Sequence, residues 1–320
     1  MFKQAPLILS VTSLILVLVL FHLRNQPSEE DPVRRIDDEF NVQAELVVRS
    51  KTVSMEIPDS LTFSGEDIPM DILDVRERLD RELHINTYWH NNSIFIYKRS
   101  NRWLPQIETI LQEEGVPDDF KYLAVIESGL LNVTSPAQAV GFWQFLKPTA
   151  RELGLKVTKE IDERYHPLKS TRAACRYLKN AYSDFGSWTL AAASYNMGIR
   201  GLKNRLEEQR VNSYFDLLLN EETSRYVFRV LAAKELITNP EKYGFEIPEE
   251  HLYAQEKLRK IEITQSIDDL VQFAQDYGIN YKILKKHNPW LRRKSLTVKK
   301  GASYIISIPA NAGTDLKTDL

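Results

Sequence analysis

At 320 residues the chain is long enough for two or three modest domains, and its 43% hydrophobic and 27% charged residues are the balance of a folded protein. A formal net charge of -2 argues against nucleic acid as the main partner. The lone cysteine, Cys175, rules out an intrachain disulfide and a cysteine metal site, and its alanine-rich surroundings read as core. The 14 Tyr, 13 Phe and 5 Trp offer flat faces of the kind that stack on sugar rings.

Residues 1–24 hold an almost uncharged apolar run from Pro6 to Leu23, flanked by Lys3 and Arg24. Its length is near the lower limit for crossing a bilayer, and no small-x-small cleavage site follows it. It reads as an N-terminal transmembrane helix serving as anchor, with a cleaved signal as the alternative; both readings export the rest of the chain. Residues 25–69 are polar and charged, then irregular, and read as a tether and an extended wrap over the domain surface.

Residues 70–245 show helical periodicity broken by short Gly or Pro interruptions. The spacing predicts helices over Asp71–Leu83, Trp103–Glu114, Asp118–Ser128, Pro148–Leu153, Leu168–Phe185, Ser187–Met197 and Glu221–Asn239, with a short helical piece at Gly141–Phe145. No strand pattern interrupts them, so the domain is all-α. Residues 246–259 form a connector. Residues 260–309 change character: alternating segments at Ile261–Thr264 and Ser303–Ile308 enclose helical patterns at Ile267–Tyr277 and Tyr281–Lys286, a small α+β module. Residues 310–320 are polar and are expected to be disordered.

Glu127 is the residue on which function turns. Val116-Pro117-Asp118-Asp119 starts a helix, Gly129 ends it, and Phe120, Leu123, Ala124 and Glu127 share one face. The last turn is where a helix dipole disfavours negative charge, and the neighbours are apolar. Both effects raise the pKa of a carboxyl, as a general acid near neutral pH requires. The competing reading is a glutamate that turns to solvent or pairs with a nearby Arg or Lys.

Three separated stretches stand in register: Ile126-Glu127-Ser128-Gly129, Gly141-Phe142-Trp143-Gln144-Phe145, and Ala193-Ser194-Tyr195-Asn196-Met197-Gly198. Their order and spacing over residues 70–245 resemble the lytic transglycosylases with a goose-lysozyme-like SLT domain, and the membrane-bound lytic murein transglycosylase D group in particular. Trp143 and Ser194 depart from the commonest motif residues without removing a functional group. Leu284 and His287-Asn288-Pro289 between two strands resemble a LysM module, although Gln265-Ser266-Ile267 replaces its usual turn.

The resemblance implies a lysozyme-like fold and cleavage of the β-1,4 bond between N-acetylmuramic acid and N-acetylglucosamine, leaving 1,6-anhydromuramoyl ends. It implies Glu127 as the single acid and base. Ser128, Gln144, Tyr195, Asn196 and Tyr226 are implied as substrate-binding or supporting residues, with Tyr226 aimed at Glu127, while Phe142 and Trp143 are candidates for the groove wall. Each has a structural alternative: Ser128 and Asn196 as caps, Tyr195 and Tyr226 as core. The partners implied are peptidoglycan glycan strands, with the catalytic domain in the periplasm and the anchor in the inner membrane of a bacterial envelope. No cofactor or metal is expected; His166 reads as structural. Asp118, Asp119, Glu152, Asp162 and Glu163 read as caps and surface charge. A hydrolase with a second carboxylate, and a non-catalytic peptidoglycan-binding protein, remain as alternatives.

Overall fold

The computed structural model describes residues 53–312. The apolar run at residues 1–24, most of the tether and nearly all of the polar tail lie outside these residues. Among the described residues no helix is long and apolar enough to cross a membrane.

The main body is helical. Residues Thr62–Phe63 (β1) and Glu66–Asp67 (β2) form a two-rung antiparallel hairpin before the first helix. Expected to wrap the surface, this stretch also inserts: Phe63 is fully buried and meets Phe120 edge to face at 5.2 Å. The carboxylate of Glu66 caps a distant helix, accepting from the Thr189 amide at 3.0 Å and the Ser187 hydroxyl at 2.9 Å.

Helix α1 (Leu73–Tyr88) outruns its predicted end and gives way at Trp89 to α2 (His90–Glu114). The predicted Trp103–Glu114 helix is the second half of α2, which runs through Pro105. Ordinarily a proline there removes one ladder bond and bends the helix; here the packing of Leu104, Ile107 and Leu111 into the core holds both halves in one element. A short 3-10 turn at Asp118–Phe120 leads into α3 (Lys121–Ser128), which buries Tyr122, Leu123, Ala124 and Val125 and carries Glu127 at its end.

The predicted helical piece at Gly141–Phe145 is instead a turn. Val140 and Phe145 exchange backbone hydrogen bonds across it, and Gln144 takes a left-handed φ of 46°. After α4 (Lys147–Glu152) come α5 (Pro167–Phe185), α6 (Trp188–Met197), α7 (Ile199–Gln209) and α8 (Glu221–Thr238). The small side chains Ala191, Ala192, Ala193 and Ser194 are fully or almost fully buried and let α6 sit close to α5 and α8. Tyr182, grouped from its spacing with the inner face of α5, is 38% exposed and stacks on Trp188.

The second module is β3 (Leu258–Ile263), α9 (Leu270–Asp276), α10 (Tyr281–His287) and β4 (Tyr304–Pro309), with β3 and β4 antiparallel from Leu258↔Pro309 to Ile263↔Tyr304. Asp269 and Asn280 cap its helices. Its small core of Leu270, Leu284, Trp290, Leu291, Ile306 and Ile308 receives Ile161 from the main body. Beside Ile161, the Asp162 amide donates to Trp290 O at 2.9 Å and the Arg292 amide to Glu160 O at 2.7 Å. The module is therefore locked to the helical body through residues 160–162, a link that no sequence pattern announces.

Candidate active site

Helix α3 ends at Gly129, which adopts a left-handed φ of 58° and returns its amide to Val125 O. This stop leaves Glu127 in the last turn, on the wall of a cavity of about 300 Å³ that is also lined by Trp89, Ile126, Ser128, Val133 and Arg229. Glu127 is half-buried rather than turned out to solvent. From α8, 99 residues further along the chain, the Tyr226 hydroxyl donates to Glu127 Oε1 at 2.5 Å. Tyr226 is itself buried, and burial beside Glu127 raises its own pKa well above the usual tyrosine value. It stays neutral and acts as a donor, so the acid proton of a protonated Glu127 sits on the other carboxyl oxygen.

The Glu127 carboxyl is held above the usual carboxylate range. Desolvation is the main cause, the charge of Glu222 adds to it, and the Tyr226 bond and the Arg229 guanidinium oppose it. Arg229 is fixed by its own bond to Ile126 O at 2.8 Å. Glu222, Tyr226 and Arg229 are spaced four and three residues apart on α8, one stripe of a helix. Only Tyr226 of the three is anticipated from the sequence; the stripe itself was a readable signal for the other two.

The remaining expected residues build the frame around this acid. The Ser128 hydroxyl donates to Phe142 O at 2.9 Å, tying the end of α3 to the 141–145 turn. The Tyr195 hydroxyl donates to Trp143 O at 2.8 Å and pins the same turn from α6. Tyr195 thus reaches the turn, not Glu127, and its ring packs against Phe145 and Tyr177. Gln144 Nε2 closes the turn by donating to Gly141 O at 2.7 Å. Asn196 does not reach Glu127 either: its Nδ2 donates to Glu222 at 2.9 Å, and its Oδ1 accepts from Thr223 at 2.7 Å.

Neither Phe142 nor Trp143 is an open groove aromatic. Trp143 is fully buried, with its indole N–H donating to Thr171 at 2.9 Å, and Phe142 is 2% exposed and packs on Trp103. At Gly141, a Cβ would lie 2.1 Å from Arg164 O, so only glycine lets the two backbones pass. Asp162 caps the 3-10 turn at Glu163–Tyr165, accepting from the Arg164 amide at 3.2 Å, but it and Glu163 are buried and are not surface charges. Asp162 pairs with Arg164 at 2.7 Å, and Arg164 Nη1 donates to Gln138 O and Phe145 O. Asp119 bonds the Ser64 amide and Lys234. His166 caps α5 and is pushed down to about 4, chiefly by burial. Cys175 is fully buried, which lifts its thiol to about 12. Among the described residues no group of three or more His, Cys, Asp or Glu could hold a metal.

Residues 106–216 match the family model of the transglycosylase SLT domain, and residues 259–312 match that of the soluble lytic transglycosylase C-terminal LysM-like domain. The chain carries an SLT domain followed by a LysM-like domain. The SLT match takes in Glu127, Ser128, Gln144, Tyr195 and Asn196, while Tyr226 lies beyond it. The chain is similar to membrane-bound lytic murein transglycosylase D of Escherichia coli strain K12, 26% identical over 271 residues, which are 82% of this chain and 58% of the relative. The protein of the same name from E. coli O6:H1 strain CFT073 matches to the same extent. The chain thus aligns with a little over half the length of these relatives.

Proposed function

We propose that the protein is a peptidoglycan lytic transglycosylase that breaks the β-1,4 bond between N-acetylmuramic acid and N-acetylglucosamine, with Glu127 as its acid and then its base. The observation that carries this reading is the Glu127 carboxyl itself. It opens on a groove, holds its proton to higher pH than an ordinary carboxyl because of desolvation, and is oriented through one oxygen by Tyr226.

Glu127 gives its proton to the glycosidic oxygen, the bond to the muramoyl anomeric carbon breaks, and the N-acetylglucosamine end leaves as an alcohol. The acetamido carbonyl of the muramoyl residue supports the electron-poor carbon. Glu127, now a carboxylate, takes the proton of that sugar's own 6-hydroxyl, whose oxygen bonds to the anomeric carbon. The proton is back on Glu127 and no water has been consumed. The nucleophile is already part of the bound sugar, so one carboxyl serves both steps.

Ordinary glycosidases hold two carboxyls about 5 to 9.5 Å apart. The carboxylate whose charge acts on Glu127 is Glu222, and it is engaged by Asn196. Its place here is electrostatic: its charge adds to the desolvation that raises the pKa of Glu127. Ser128, Gln144 and Tyr195 hold the 141–145 turn beside the acid, and Asn196 holds Glu222 in place. The LysM-like domain adds contact with the glycan strand. Residues 1–24 anchor the protein in the inner membrane, with the SLT domain in the periplasm. The test is the full chain carrying Glu127→Gln, incubated with insoluble peptidoglycan. Release of soluble fragments should be lost while sedimentation with the polymer is kept. Unchanged release would remove Glu127 from the chemistry, and a wild-type chain that binds but releases nothing would make the protein a tether.

A further inference from the structure

Beside the catalytic groove, the SLT body and the LysM-like domain enclose a second cavity of about 380 Å³. The two cavities share Arg99 and Leu131 in their walls. Arg99 stands at the join with its Nε donating to Gly129 O at 2.6 Å, two residues beyond Glu127. Its guanidinium is half-buried, burial lowers its pKa, and among the described residues no carboxylate pairs with it. A cation partly stripped of water and left without a counter-charge favours binding an anion, and a guanidinium presents the two-pronged donor that a carboxylate fits.

The charge of the second cavity continues the same preference. Arg102 and Lys286 line it, one from each domain, and Glu256 is the one carboxylate among its lining residues. Glu256 is already engaged by Lys286 at 2.8 Å, which leaves a positive surplus in the cleft. Arg102 is held in place by its bond to Ala254 O at 2.9 Å and lies over the Tyr253 ring. The surplus is local, because the chain as a whole carries a net charge of -2.

We propose that Arg99 and this interdomain cleft form a subsite for the carboxylates of the peptide stem borne by the muramoyl residue at the cleavage point. The idea rests on the lytic reading of the groove, since it is the sugar held at Glu127 that brings a stem to Arg99. The glycan runs along the groove, and the stem turns over Arg99 into the cleft. The LysM-like domain thereby supplies one wall of a peptide site. The enzyme would then prefer strands that keep their stems over strands stripped of them.

The test compares two substrates, glycan strands bearing stem peptides and the same strands after their peptides are removed by an amidase. With the full chain, kcat/KM should be higher on stem-bearing strands, and Arg99→Gln should lower the ratio of the two values about tenfold, the effect of losing one charge-assisted contact. Lys286→Gln, on an exposed side chain of the other domain, should lower the same ratio by a smaller factor. Equal loss on both substrates would show that Arg99 only braces the Gly129 turn and would overturn the proposal, as would a ratio unmoved by either variant. Binding separates this failure from failure of the lytic reading. A soluble disaccharide tetrapeptide should bind the Glu127→Gln chain about tenfold more tightly than it binds the chain that also carries Arg99→Gln. Equal binding would refute the subsite whether or not the wild type cleaves anything.

Discussion

Replacing Tyr226 by Phe removes one oxygen and keeps the ring. Tyr226 is 1% exposed, so the ring packs as before, and the loss falls on the 2.5 Å bond to Glu127. A hydrogen bond to a charged partner contributes about 1.5–3 kcal/mol. Its removal affects Glu127 in two ways. The carboxylate form loses a donor, so the pKa, already raised by desolvation, moves higher still. The carboxyl also loses the contact that aims its second oxygen at the glycosidic bond. The first effect moves the alkaline limb of the kcat/KM profile toward higher pH, because that limb reports loss of the acid's proton in the free enzyme. The second lowers the plateau by roughly 10- to 100-fold, the factor that this hydrogen-bond energy corresponds to. The assay is release of muropeptides from peptidoglycan as a function of pH, with thermal unfolding as a check on the fold. A lowered plateau with an unmoved limb would refute the idea that Tyr226 tunes the acid. A wild-type profile would refute any role for the bond.

Three further outcomes follow from the same geometry. Glu127→Gln should raise the melting temperature of the SLT body at pH 7 by roughly 2–4 °C, the effect of about 1 kcal/mol in a domain the size of residues 70–245. The sign follows from linkage: a folded-state pKa above the unfolded value means that the native chain binds the proton more tightly, so stability falls as pH rises past the unfolded pKa. The gain should shrink toward zero below pH 4; a variant that melts lower at pH 7 would contradict it. Glu222→Gln removes the charge that helps hold the Glu127 proton, so the alkaline limb should move to lower pH while the products stay the same; loss of all activity would instead mark Glu222 as a participant in the chemistry. Ile161→Ala opens a hole in the core of the LysM-like domain at a cost of about 2–5 kcal/mol. Thermal unfolding should then show that domain melting before the SLT body, and a single unshifted transition would contradict the docking role of Ile161.

Much of the helical body is legible because its helices carry their own punctuation. Gly115, Gly129 and Gly186 end helices at the predicted places with left-handed backbones. The N-terminal half of α2 is not, since the sequence around Asn91 and Asn92 favours turns; tertiary packing overrides it. The 141–145 turn looks helical from its apolar residues, yet each is buried by a different neighbour: Phe142 by Trp103, Trp143 beside Thr171, Phe145 against Tyr195. At the site, the position of Glu127 was readable from α3 alone. Of its partners, Tyr226 is reached only through the family resemblance and Arg229 not at all, because both arrive from about a hundred residues away and only folding brings them close. Asn196 shows the limit of motif reading: the residue type is right for the groove, but its hydrogen bonds go to Glu222 and Thr223.

The central claim is that Glu127 works alone and the substrate supplies the nucleophile. Mass spectrometry of the muropeptides released by the full chain tests this most directly. The account predicts ends that are lighter by one water than reducing ends and that resist borohydride reduction. Reducing ends would contradict it, because water would then be the nucleophile and a second carboxylate would be needed to activate it.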